Sequence, residues 1–313
     1  LSPSLSLSLP VSPSSPSCLT TSLHVSVQPV LQPLRLSLDK LRDVSSRLHK
    51  GLVQGLGKHS HHRAAVKMLP TFVRATPDGT EKGDFLWGGF GDDGSLRDIQ
   101  TEFDQMVDKT SINPGVHIFE KMISGMYLGE IVRLLLLRLS EEKLLFKGQK
   151  SEVLQTPEIF QTKFISEIEE EDTGLDNARR ILTQLDLQWD EADVRVVRLV
   201  CDTVSSRSAR LCAAALATIA NKMRLNRGLD RLQTTVGVDG TVYRKHPNFS
   251  EELQLTVRLL APECSITFLV SEDGSGKGAA MVTAVAQRLA LQSRLLDDSE
   301  EDEEEEEEDE ETS

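Results

Sequence analysis

Three stretches of the chain hold the residue types that phosphate and carboxylate chemistry needs. SEDGSGKG, from Ser271 to Gly278, alternates Gly274, Gly276 and Gly278 around Ser275 and Lys277. Glycines at that spacing let backbone amides converge on an anion or on the face of a nucleotide; a tight structural turn uses the same spacing. It is not a Walker A loop, because Ser271 supplies no first glycine and Gly278 stands in place of the Mg²⁺-binding hydroxyl. GVDGTVYR, from Gly237 to Arg244, holds a second glycine turn at Asp239 and Gly240, of a kind that plain hairpins also use. The third is Glu120, set in an apolar helical stretch. A buried carboxylate is costly unless paired, so Glu120 is either a functional group or the partner of Lys121, Arg133 or a nearby amide. The histidines of HSHH, His59 to His62, have no carboxylate or thiol at ligand spacing and read as a solvated loop.

The elements that must position these groups follow from periodicity. Leu38, Leu41, Val44, Leu48 and Leu52 recur at helical spacing after a Ser37 cap, and the helix ends near Gly55 and Gly57. Pro77, Asp78 and Gly79 mark a turn between two short extended runs. Ser95 is a cap for a helix with Leu96, Ile99, Phe103 and Met106 on one face, broken by Asn113, Pro114 and Gly115. A long helix is expected from about Val116 to Leu139, carrying Phe119, Glu120, Tyr127 and Ile131. Gly125 and Gly129 inside it each cost ~1 kcal/mol relative to Ala, which implies close approach of another group. Two more helices are expected over about 177–185 and 190–225. Thr234 to Val238 and the residues after Asp239-Gly240 read as a hairpin. A helix around 251–260 precedes SITFLV, Ser265 to Val270, which lacks alternation and looks buried on both faces. A last helix ends near Leu296. Strands separated by helices argue for an α/β fold.

Composition bounds the rest. The 313 residues suffice for two ordinary domains. No stretch reaches the ~20 apolar residues of a spanning helix. Net charge is −14, but the stretch 297–313 holds 14 of the 49 acidic residues and no basic one. The remaining 35 acidic residues balance the 35 basic residues, so the body has no charge bias toward nucleic acid. The tail should be extended and solvated, and Ser299 within it suits an acid-directed kinase. Residues 1–35, rich in Ser, Pro and Leu, read as disordered, with order beginning near Ser37. The four cysteines form no CxxC pair and fit reduced thiols in the cytoplasm.

Several long motifs in order carry a resemblance: KMLPTFVRATPDGTEKGDFL, WGGFGDDGSL, FEKMISGMYLGEIVR, GLDRLQTTVGVDGTVY and SEDGSGKGAA. Over roughly residues 36–292 the chain resembles hexokinases, most of all the C-terminal half of a duplicated vertebrate-type hexokinase. That resemblance implies an actin-like ATPase (ribonuclease H-like) fold, whose two lobes close over glucose and ATP with Mg²⁺ to phosphorylate the hexose 6-hydroxyl. It implies a sugar contact at Glu120. It implies nucleotide contacts at Gly125 and Met126, at Thr162, Lys163 and Ser166, at Asp239 and Gly240, and at Thr241, Val242, Tyr243, Arg244 and Lys245. Gly274, Ser275 and Gly276 lie by the adenine end.

The resemblance also departs sharply at one junction. In the family, KGDFL continues into a phosphate-cradling Leu-Asp-x-Gly-Gly-Thr hairpin; here Trp87 follows Leu86 at once. Most of the small lobe is missing, with its sugar-binding Ser/Thr-Lys stretch and the Asn-Asp pair that holds the catalytic Asp. Leu86 stands where the second sugar-binding Glu would be. The expected organisation is therefore a lobe remnant over 36–86, a retained large lobe over 87–296, and an acidic tail over 297–313. These departures from the family pattern imply no catalytic residue and no useful turnover. The alternative function is that of a non-catalytic nucleotide-binding or regulatory isoform, able to associate with an intact hexokinase.

Overall fold

The computed structural model describes residues 26–55, 88–170 and 175–270. The Pro77–Gly79 turn, the histidines 59–62, the glycine loop 271–278, the last helix and the acidic tail with Ser299 lie outside the described residues, as does the junction at 86–87.

One helix organises the rest. Helix α8, Glu191–Asn226, runs for 36 residues, roughly 54 Å at ~1.5 Å per residue. It starts at a capping box: the Asp190 carboxylate accepts the amides of Ala192 and Asp193, while Asp193 accepts the amide of Asp190. Its second half is rich in alanine, with Ala209, Ala213, Ala214, Ala215, Ala217 and Ala220 buried. Small side chains there let α1 (Leu38–Gly55) and the later helix α10 (Phe249–Leu260) pack closely along it. The first half packs on α4 (Leu128–Glu141), α6 (Thr162–Glu169) and α7 (Asp176–Gln184). The preceding helices are α2 (Glu102–Thr110), α3 (Ile118–Ile123) and the single turn α5 (Glu152–Gln155).

Two strands, β1 (Leu232–Val238) and β2 (Cys264–Val270), pair in parallel, with Leu232 opposite Cys264 and Val238 opposite Val270. The crossover runs through α9 (Thr241–Lys245) and α10. The hairpin expected after Asp239-Gly240 is therefore corrected: the turn opens a helix, and β1 finds its partner beyond that helix. Nor is β2 buried on both faces, since its exposure alternates and Leu269 and Val270 are more than half exposed.

Three other expectations change. Residues 26–34 form helix and 3-10 turn, with Val27, Leu31 and Leu34 fully buried in the main core, so order extends further toward the N-terminus than Ser37. Helix α2 is capped by Thr101 and Asp104, not by Ser95, and Met106 is half-exposed while Leu96 and Ile99 are buried in a run of turns. The helix expected from Val116 to Leu139 is two helices, because Ser124 is extended and Gly125 and Met126 form a turn. The helices over 38–55, 176–184 and 191–226 match their expected places within a residue or two.

Candidate functional site

Gly88, Gly89 and Phe90 of the WGGFG stretch lie against α3. The Phe90 and Gly88 carbonyls accept the amides of Phe119 and Glu120, and the Phe90 and Phe119 rings meet edge-on with centroids 5.4 Å apart. Asp92 caps α3 by accepting the amides of His117 and Ile118 at 3.0 and 2.8 Å. Those contacts fix Glu120 at the surface beside Gly88, where a Cβ would lie 3.1 Å from Glu120 Oε2.

Glu120 is neither buried nor paired with Lys121 or Arg133. Its side chain is 44% exposed and Oε2 lies 2.8 Å from His117 Nδ1. Lys121 turns inward, almost fully buried, to Asp108 and the Asn113 carbonyl. Arg133 forks onto Glu130. Partial desolvation, together with the Glu120 charge, pushes the Tyr127 hydroxyl above its ordinary range. His117, Asp92 and Tyr127 were missed by sequence reasoning. The acids of GDDGS could have signalled a cap, but nothing local marked their target.

One turn past Glu120, three of the expected nucleotide segments meet. The Thr162 hydroxyl donates to the Gly125 carbonyl at 2.5 Å and accepts the Gly129 amide at 3.0 Å. A Cβ on Gly125 would come within 2.6 Å of Val242 Cγ2, and one on Gly129 within 2.1 Å of the Phe160 carbonyl. The close approach expected at both glycines is thus present: they let α4, the start of α6 and α9 touch.

The remaining candidates divide. Met126, Lys163, Arg244 and Lys245 are exposed around this junction, Ser166 is half-buried one turn along α6, and Thr241 is exposed at the start of α9. Lys163 Nζ sits 5.4 Å from the Phe164 ring centroid, and Arg244 reaches Asp239 at 4.0 Å. Gly240 links β1 to α9. Tyr243 points into the core, stacks on Phe268 and accepts a hydrogen bond from Gln254, which makes it a packing residue. Gly274, Ser275 and Gly276 lie outside the described residues. No group of three or more potential metal ligands occurs among the described residues, and none of the helices there is long and apolar enough to cross a membrane.

A family model described as Hexokinase matches residues 84–285, and a second model of the same description matches residues 26–109. The chain belongs to the hexokinase family. Hexokinase-2 of Equus caballus is 50% identical over 244 residues, 78% of this chain and 26% of that protein. Hexokinase-2 of Homo sapiens is 55% identical over 66% of this chain and 23% of its own length, and hexokinase-3 of Mus musculus 57% over 65% and 22%. The chain thus spans about a quarter of the length of these relatives. Among solved structures, a hexokinase from Schistosoma mansoni complexed with glucose superposes with a TM-score of 0.75 at 21% identity, covering 85% of this chain and 99% of that one. A second hexokinase structure gives a TM-score of 0.65 at 16% identity. The hexokinase, actin-like ATPase fold is therefore retained. The two family models overlap over 84–109, the stretch that contains the junction at Leu86 and Trp87.

Proposed function

We propose that this hexokinase-family chain grips ATP with Mg²⁺ through the junction of Gly125, Thr162 and Val242 and transfers no phosphoryl group. The observation that supports it is the meeting of three distant segments, each expected to contact nucleotide, around one glycine that has no room for a side chain. Lys163, Arg244 and Lys245 flank that junction and suit phosphate oxygens. The start of α6 carries no side-chain cap; the Phe164 amide donates to the Gln161 carbonyl, which leaves the Thr162 and Lys163 amides as donors. These residues fit a nucleotide's phosphates. When bound, ATP with Mg²⁺ supplies the transferable phosphoryl group.

The sugar side is poorer. Glu120 offers an exposed carboxylate to a hexose hydroxyl, and Asp92 and His117 hold it in place. The resemblance leaves no acid in the position of the family's base. Loss of a general base alone typically costs 10²–10⁴ in rate. Here the base is lost together with a phosphate loop and other sugar contacts, which act as a unit. The setting is cytoplasmic, a reading that the free thiols of Cys201, Cys212 and Cys264 support. The partner in this reading is an intact hexokinase.

A thermal-shift series tests the reading. Mg²⁺-ATP should raise the melting temperature as a ligand specific to the folded state does. The shift should vanish in Gly125→Val, and glucose should release no ADP above background. Sugar phosphate formed in proportion to enzyme would overturn the inactivity, and an unchanged melting temperature would overturn the grip.

A further inference from the structure

A second cluster lies on the far side of the segments that make the nucleotide junction. Helix α6 begins with Thr162 and ends with Glu169; α9 begins at Thr241 and is followed at once by His246. Glu169 and His246 are almost fully buried, with His246 Nε2 3.3 Å from Glu169 Oε1. The Ser205 hydroxyl, from α8, donates to the same Oε1 at 2.8 Å. The Asn248 amide donates to His246 Nδ1, which assigns the ring proton to Nε2, facing Glu169. The His246 amide donates to the Val242 carbonyl at 3.0 Å, and it is the Val242 side chain that fills the space at Gly125.

The contacts close into a ring. From Gly125 it passes to Thr162, along α6 to Glu169, across to His246, back to Val242 and again to Gly125. We propose that Glu169 and His246 are positioning residues, a strut that sets the separation of α6 and α9 and so the width of the nucleotide junction. The proposal deepens the nucleotide reading above and rests on it for its functional consequence.

The strut is sensitive because it is barely satisfied. Glu169 Oε2 and His246 Nε2 are both buried without a hydrogen-bond partner among the described residues, so the facing Nε2 and Oε1 are close but not bonded. The carboxylate is therefore held by the Ser205 hydroxyl and by the 3.3 Å approach of the His246 ring, and loss of either leaves it further uncompensated in a site of low dielectric. Beside it a cleft of about 190 Å³ is lined by Asp202, Glu251, Glu252 and Asn248, among others, and gives both segments room to shift. The charges facing the cluster are Asp202 on α8, with Arg35 and Arg198 acting on it, and Glu252 on α10, which is paired with Arg210. None of them contacts the orphan oxygen.

The test uses the full chain and two readouts. The first is amide hydrogen exchange without nucleotide on wild type, Glu169→Gln, His246→Leu and His246→Gln. A strut requires exchange to rise jointly at 162–166 and 241–245 in Glu169→Gln and His246→Leu, with recovery in His246→Gln, whose amide can reach the carboxylate. A rise confined to the substituted segment, or spread evenly over the molecule, overturns it. The second readout is the dissociation constant of Mg²⁺-ATP. It should weaken about tenfold in Glu169→Gln and in His246→Leu and no further in their double variant, within the range that positioning contacts carry. Additive losses, or affinities unchanged despite a lower melting temperature, contradict the strut. Joint loosening in a wild type that binds no ATP would sink the nucleotide reading and leave the strut standing.

Discussion

Single residues carry the sharpest consequences. Gly129 has no space for a methyl group, because a Cβ would lie 2.1 Å from a backbone oxygen that belongs to another segment. Gly129→Ala should cost about 1–3 kcal/mol by overpacking, read as a lower urea midpoint at unchanged slope. Asp104 and Arg207 form a bidentate pair at 2.8 Å that is 99% buried on both sides. Asp104→Ala leaves the guanidinium buried and unpaired, so a loss of about 3–5 kcal/mol is expected in the same experiment. Asp98 behaves differently. The Arg47 guanidinium and the Lys40 ammonium hold its carboxyl well below the usual carboxylate range. A depressed folded value means stability that is present above the unfolded value of ~3.9 and lost as pH falls toward the folded one. Its side chain is half-exposed, so the contribution is at most about 1 kcal/mol. Wild type should exceed Asp98→Asn in urea midpoint at pH 6, with the gap beginning to narrow below about pH 4 and continuing to narrow toward about pH 2; a gap that is constant across that range contradicts the pairing. Burial pushes the Cys212 thiol up to about 12, and the fully buried Cys201 thiol also lies well above its ordinary range. Glu120 was legible as a candidate because an acid stood in an apolar stretch. Its exposure was not legible, because the groups that hold it outward, Asp92 and Gly88, lie about 30 residues away.

At the scale of elements, what could be read locally was read well. Helix α1 announces itself through Ser37 and five apolar residues on one face, and α8 through Asp190 and its capping partner. Asp190→Ala removes the half of that cap in which the Asp190 carboxylate accepts the Ala192 and Asp193 amides, and should cost about 1 kcal/mol in thermal stability. The errors came where a local signal competed with a distant partner. Asp239-Gly240 looks like a hairpin turn from its two residues alone, yet β1 pairs with a strand more than 25 residues on. Pro29 and Pro33 made the N-terminal stretch look structureless, but Val27, Leu31 and Leu34 keep a helical period and are drawn into the core. Nothing in FEKMISGMYLGE marks Ser124 as extended; the Thr162 hydroxyl from another helix holds the turn open. Two parallel strands form a marginal sheet, whereas α8 runs through every described core cluster. Native-state hydrogen exchange should therefore release the amides of 233–237 and 265–269 well before those of 196–218. Equal protection of both sets would show that the sheet is held by more than its own ladder.

The whole molecule reads as one side of a hexokinase clamp built on a single long helix. Family membership and fold were legible from ordered motifs, because long runs such as GLDRLQTTVGVDGTVY tolerate little chance matching. The junction at Leu86 and Trp87 was legible as a departure from the family pattern, and the two family models overlap across it. The fold is retained around α8, while under the proposed reading the missing phosphotransfer groups belong to the segments lost at the junction. Binding can therefore outlive catalysis. The most direct measurement is isothermal titration of Mg²⁺-ATP into the folded chain, beside Gly125→Val at matched helicity. A saturable heat in wild type that disappears in the variant is expected. No heat from a folded wild type, or the same heat from both proteins, would contradict a nucleotide grip at Gly125, Thr162 and Val242.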